Sequence, residues 1–287
     1  MMGYPNLGIN IYNSQVTSYI YLYGIKPERE IIITPNIVLR STKSSPDPQN
    51  MIENVMKYGD QSEFSLGMII AFLRRITAEL VISDPNPENL AIRAWNSQHI
   101  CMLLSAMLKC VVEFPFQADN SVEKFDAHTH INIINPKMLN ISNESYIIDN
   151  QTCDYIEKNM SIAMDLDDND RFGTAANALW CYKVHFRPAV QLSVIWGGIE
   201  SLFVIKRGIR NKLSKAISRF LNNNDDLIEE IKELYDMRSE AVHELKTEEN
   251  IGIEKSVDVL HKLIKRCIEL RSLPDTDFLI DDSNWNL

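Results

Sequence analysis

Two residues in the segment ELYDMRSEAVHE (233–244) have side chains suited to chemistry on an anionic group. Arg238 supplies a permanent cation with planar donors, which stabilises charge developing on an oxygen. His243 supplies an imidazole that takes or gives a proton near neutral pH. The arginine's setting is unusual. On a helix of about 100° per residue, Leu227, Ile231, Leu234, Tyr235, Ala241 and Val242 all fall within about 60° of Arg238. The guanidinium stem therefore rises from the face that should enter a core. An unpaired charge there costs several kcal/mol, so a partner is required. The segment PAVQLSVIWGGIESLFVI (188–205) contains a single charged residue, Glu200, which is equally out of place. A Glu200–Arg238 pair joined by two parallel hydrogen bonds is the expected solution. His243 lies about 140° round the helix from Arg238 and about 7.5 Å along it. The two head groups converge only through arginine's length, a distorted helix end or a second copy of the chain. Periodicity alone equally allows a plain register-fixing ion pair, with His243 an ordinary helix-terminal residue.

The elements that must hold these residues read as helices over 172–186, 188–205, 208–222, 226–243 and 253–271, separated by polar breaks such as NNNDD. Pro188 either starts the second of these or kinks one longer helix. Upstream, 9–23 and 31–41 are rich in Ile, Val, Tyr and Thr and read as strands, and 41–50 reads as a loop. Residues 63–82 have a helical pattern. A second helix starts at Asn86 as N-cap, with Pro87 in its first turn, and runs to about 112. Residues 128–149 read as short strands and turns. An amphipathic helix from Thr152 is broken by DDND at 167–170. The expected fold is mainly α: a mixed α/β N-terminal domain over 1–165, a helical bundle over 166–272, and an acidic tail over 273–287.

The runs WGGIESLF (196–203) and LYDMRSEAVH (234–243), with a basic helix between them, resemble the Apea-like branch of the HEPN superfamily. The likeness covers about 171–272, and Arg238 to His243 matches the superfamily's R-x(4–6)-H motif with four intervening residues. Ser239 and Glu244 depart from the commoner pattern at their positions. The resemblance implies a HEPN-type bundle, a homodimer with a composite site, and a metal-independent endoribonuclease of a toxin or anti-phage system. It carries Arg238 and His243 over as the catalytic pair; Glu200 joins them through charge matching. His243 would move the proton of the 2′-hydroxyl or of the leaving 5′-oxygen, and Arg238 would steady the phosphorane. The products would carry 2′,3′-cyclic phosphate and 5′-hydroxyl ends. The alternative is a non-catalytic HEPN-like module that binds RNA or protein. A regulatory protein partner, or an N-terminal domain with a sensing role, fits either reading.

RNA must also be held. The segment VIKRGIRNKLSKAISRFLNN (204–223) carries Lys206, Arg207, Arg210, Lys212, Lys215 and Arg219 and no acid, in a chain of net charge −10. Such a stripe suits a phosphate track, although a solvated helix face has the same composition. The tail SLPDTDFLIDDSNWNL, with four Asp and no Lys or Arg, is expected to be disordered or else to lie over this helix as an inhibitor.

Two other matches weigh less. Arg93 and His99 repeat the R-x-H spacing without the surrounding context. FDAHTHI (125–131) imitates the D-x-H-x-H start of metal-dependent amidohydrolases, but too little chain follows for a barrel of about 250 residues. Alternating histidines on an exposed strand are expected there, and no metal or other cofactor is implied. The composition, 45% hydrophobic and 24% charged, is that of a folded soluble chain. Five scattered cysteines suit a reducing, cytoplasmic setting. No secretory signal is read at the start, and the longest apolar run is too short to span a bilayer.

Overall fold

The computed structural model describes residues 16–58, 71–134, 145–221, 225–244 and 251–285. The chain divides into two units, one of Met1–Cys101 with Val112–Ser161 and one of Met102–Val111 with Ile162–Leu287. The first is α/β and the second helical, so the described chain is mainly α with an N-terminal α/β part.

β-branched and aromatic residues build the first unit. Its strands are β1 (Thr17–Tyr23), β2 (Ile25–Pro27), β3 (Ile31–Thr34), β4 (Ile37–Ser41), β5 (Ala78–Ser83), β6 (Glu113–Ala118), β7 (Ile131–Ile133) and β8 (Tyr146–Ile148). Six form an antiparallel sheet in the order β3-β4-β5-β1-β6-β7, and β2 pairs with β8 in parallel. The face bearing Tyr21, Tyr23 and Phe116 is buried with Met51, Phe72, Leu73 and Ile76. Residues 9–15 of the first expected strand lie outside the described residues.

Three expectations here are corrected. The helix expected over 63–82 gives way to strand β5 at its C-terminal end. AELVIS is buried on both faces in mid-sheet, and a strand without alternation has no period to separate it from a buried helix. The loop expected over 41–50 ends early, because α1 (Pro48–Tyr58) starts with Asp47 accepting from the Gln49 N–H at 2.8 Å and proline at the first turn. The paired histidines of FDAHTHI occupy a turn and its exit, not a strand. Asp126 Oδ1 accepts from the His128 N–H at 2.8 Å and from the Thr129 hydroxyl at 3.0 Å. By contrast α2 (Pro87–Leu108) starts where its cap places it, with Asn86 Oδ1 accepting from the N–H groups of Glu88 and Asn89.

Helix α3 (Asn150–Asp167) begins in the first unit and ends in the second at the DDND break, and there Asn169 caps α4 (Asp170–Cys181) by accepting from the Arg171 N–H. Pro188 sits in the first turn of α5 (Pro188–Leu202), a start and not a kink. Then follow α6 (Ile209–Phe220), α7 (Asp225–Glu244), α8 (Ile251–Leu270) and α9 (Thr276–Ile280). Helix α5 is apolar nearly all round because α4, α7 and α8 pack against it. Gly198 makes that packing possible. A Cβ there would stand 2.6 Å from the Ala178 Cβ and 3.1 Å from Leu260 Cδ2, whereas one at Gly197 would meet nothing within 4 Å.

Helix α8 ends with Arg271 in the left-handed region (φ 53°) and the Ser272 N–H bonded to the Cys267 carbonyl. The chain that follows does not hang free. Helix α9 packs on α6, so the tail is an ordered cover on the basic helix. Among the described residues, no helix is long and apolar enough to cross a membrane.

Candidate functional site

Helices α5 and α7 bring Glu200 and Arg238 together, with Arg238 Nη2 3.8 Å from Glu200 Oε1. The two parallel hydrogen bonds expected from the sequence are not made, since 3.8 Å exceeds a hydrogen bond. Both side chains are part-buried, at 25% and 30% exposure, so Arg238 lies at the rim of the core and not in its middle. Ile231 and Leu234, on the same face, are fully buried. The guanidinium sits 5.8 Å from the Tyr235 ring centroid, and that ring meets Trp196 edge-on at 5.4 Å. Trp196 is itself fixed by an Nε1–H donated to the buried Ser256 hydroxyl. The aromatic pair thus steadies one side of the arginine and the carboxylate the other.

Two polar atoms of this pair are left over. Arg238 Nε and Glu200 Oε1 are buried and have no hydrogen-bond partner among the described residues. Such atoms cost about 1–3 kcal/mol each when unsatisfied, so the arrangement is not one that stability alone selects. The backbone of His243 is in the last turn of α7, while its side chain lies outside the described residues.

The basic stripe separates into two sets. Arg210 donates to both oxygens of Asp236 at 2.7 and 2.6 Å, and this bond holds the Asp236 carboxyl below the usual carboxylate range. Lys215 and Arg219 both grip Asp282 of the tail, at 3.1 and 2.7 Å, and Arg219 also lies 5.2 Å from the Trp285 ring centroid. Lys206, Arg207 and Lys212 are exposed and form no ion pair among the described residues. Spacing in the sequence marked all six as equivalent. Their carboxylate partners, Asp236 and Asp282, lie 26 and 63 residues away from Arg210 and Arg219, beyond the reach of any local pattern.

One residue that no motif singled out proves central. Arg171, in the first turn of α4, donates from Nε to the Ser201 carbonyl at 3.3 Å and from Nη2 to the carbonyls of Leu202 and Pro274. It ties the C-terminal end of α5 to the start of the tail. Its sequence context, a charged residue beside a helix cap, is too ordinary to have marked it.

The lesser matches resolve into local structure. Arg93 donates to Asp84 at 3.0 Å, next to the N-cap of α2. His130 pairs with Asp119 at 3.0 Å, and His128 Nδ1 lies 2.7 Å from the Lys57 ammonium. Among the described residues, no group of three His, Cys, Asp or Glu side chains is placed to hold a metal ion. Burial pushes the thiols of Cys110 and Cys267 up to about 12, which keeps them protonated and poor nucleophiles near neutral pH. Comparison with known families, curated proteins and solved structures finds no match for this chain.

Proposed function

We propose that the second unit is a HEPN-type endoribonuclease domain that cleaves RNA without a metal ion, as a toxin or anti-phage effector. The observation that carries this reading is the Glu200–Arg238 pair. It sits at the core rim, is braced by Tyr235, and leaves Arg238 Nε and Glu200 Oε1 without hydrogen bonds among the described residues. The Nε is buried, but the Arg238 side chain is 25% exposed, so a phosphate can approach the outer part of the guanidinium.

In the proposed reaction the 2′-hydroxyl attacks phosphorus, forming the 2′,3′-cyclic phosphate and breaking the bond to the 5′-oxygen. One proton leaves the 2′-hydroxyl and one joins the departing 5′-oxygen. His243 carries these transfers, alone or with its copy in a second protomer. Arg238 stabilises the charge on the non-bridging oxygens. Glu200 positions Arg238. DNA, lacking the 2′-hydroxyl, is not a substrate.

The test incubates wild type, Arg238→Ala and His243→Ala with tRNA and total RNA in EDTA and maps the fragment ends. Cyclic phosphate ends from wild type alone support the reading. Cleavage by all three, or by none from a folded protein, rejects it; the second result favours a module that binds RNA or protein without cutting it.

A further inference from the structure

Lys206, Arg207 and Lys212 are the cations of the basic stripe that no carboxylate neutralises among the described residues, and all three line one cleft of about 730 Å³. The connection between α5 and α6 forms one wall and the start of the tail the other. Arg171 belongs to the lining and fastens the walls together through its bonds to the carbonyls of Ser201, Leu202 and Pro274. Gly208, with φ of +64°, turns the chain into α6 and so sets Lys206 and Arg207 against Lys212 one turn later. Two carboxylates also line the cleft. Asp275 is engaged, accepting from the Phe278 N–H as the cap of α9, while Asp277, on the opposite wall, forms no ion pair among the described residues. Four cations against two carboxylates make this a positive hollow in a chain of net charge −10.

The hollow reaches the Glu200 side of the candidate site. A smaller cleft of about 330 Å³ is lined by Glu200 and Leu213, and it shares Val204, Ile205 and Lys206 with the larger one. A strand of phosphodiesters whose reacting unit lies beside Glu200 would run past Lys206 into the larger cleft. The paired cations, Arg210, Lys215 and Arg219, contribute little, because an incoming phosphate must first displace Asp236 or Asp282.

We propose that this cleft is a phosphate-binding subsite for single-stranded RNA, in which Lys206, Arg207 and Lys212 contact backbone phosphates next to the one that reacts. Arg171 is a positioning residue that holds the walls. The proposal rests on the ribonuclease reading for the identity of its ligand, and binding rather than cleavage tests it.

The measurement is fluorescence anisotropy of a labelled single-stranded RNA with the full chain over a range of salt. It compares wild type, Lys206→Gln/Arg207→Gln/Lys212→Gln, and the charge-matched control Arg210→Gln/Lys232→Gln/Lys255→Gln, whose cations are all paired. The cleft variant is expected to bind at least about tenfold more weakly, and the slope of log affinity against log salt to fall by about 2, as for three lost contacts to a single strand. The control should stay within about threefold of wild type, since neutralised cations release few counterions. Equal weakening of both triples overturns the subsite, as does an unchanged cleft variant or tripolyphosphate displacing the RNA as effectively as unlabelled RNA does. Cleft-dependent binding with no cleavage by wild type leaves the subsite standing and removes the ribonuclease. Cleavage by wild type with cleft-independent binding does the reverse.

Discussion

At 3.8 Å, without a hydrogen bond and with both side chains part-exposed, the Glu200–Arg238 contact contributes about 0–1 kcal/mol to folding. Glu200→Gln should therefore lower the unfolding free energy by less than about 1 kcal/mol in urea titrations, while a closed, buried bridge would lose about 3–5 kcal/mol on such a break. A loss in the upper range would make the pair a structural bridge and strip the site of its orienting carboxylate. That the two residues meet was legible in the sequence, because each is the odd charge on an apolar helix face. How they meet was not. Helical periodicity sets the azimuth of a side chain on its own helix and says nothing of the distance or tilt between two helices, which here hold the pair open. The same limit hid Arg171, whose partners are backbone carbonyls, groups every residue carries and no pattern marks.

Helix order in the second unit was readable because local chemistry marks its boundaries: the DDND break, where Asn169 caps α4, and Pro188, which the structure resolves as a start. Strand β5 was not readable, because burial on both faces erases the alternation that identifies a strand. Packing around α5 separates two adjacent glycines that look alike in sequence. Gly198→Ala forces a Cβ to within 2.6 Å of the Ala178 Cβ, and should destabilise by about 1–3 kcal/mol as overpacking does. Gly197→Ala enters open space on a helix and should stabilise by about 0.5–1 kcal/mol. Opposite shifts in denaturant midpoint are the check; matching shifts would mean that α5 is packed differently. At the tail, Asp282 is the shared partner of Lys215 and Arg219, and its carboxyl is held below the usual range first by the Arg219 hydrogen bond and then by Lys215. Asp282→Asn should free Lys215, while Arg219 stays bonded to the Leu279 carbonyl, and raise affinity for single-stranded RNA by about two- to threefold, with a slightly steeper salt dependence. Weaker RNA binding by this variant would show that the ordered tail supports the ligand and does not compete with it.

Across the second unit, a half-buried histidine links the end of α2 to the last long helix. His261, on α8, donates from Nε2 to the Met107 carbonyl at 3.0 Å. Burial lowers its pKa below the ordinary 6.5. The Met107 hydrogen bond opposes that shift, Lys109 and Lys265 deepen it, and Asp258 opposes it again. The sign follows from proton counting. An unfolded chain takes up this proton near pH 6.5, and the folded one only at lower pH, so the unfolded state binds more protons in between. His261 therefore lets the unit keep its full stability above pH 6.5 and lose it as pH falls through the folded value. His261→Gln keeps a donor for Met107 and removes the titration. Urea midpoints compared at about pH 7.5 and about pH 5.5 should fall less in the variant than in wild type. Trp180, Trp196 and Trp285 lie in the second unit and Trp95 alone in the first, so tryptophan emission reports mainly on the unit concerned. Identical pH slopes in the two proteins would mean that His261 is protonated as readily folded as unfolded. The contact with Met107 would then be made by an imidazolium, and the end of α2 would be held by charge as well as by packing.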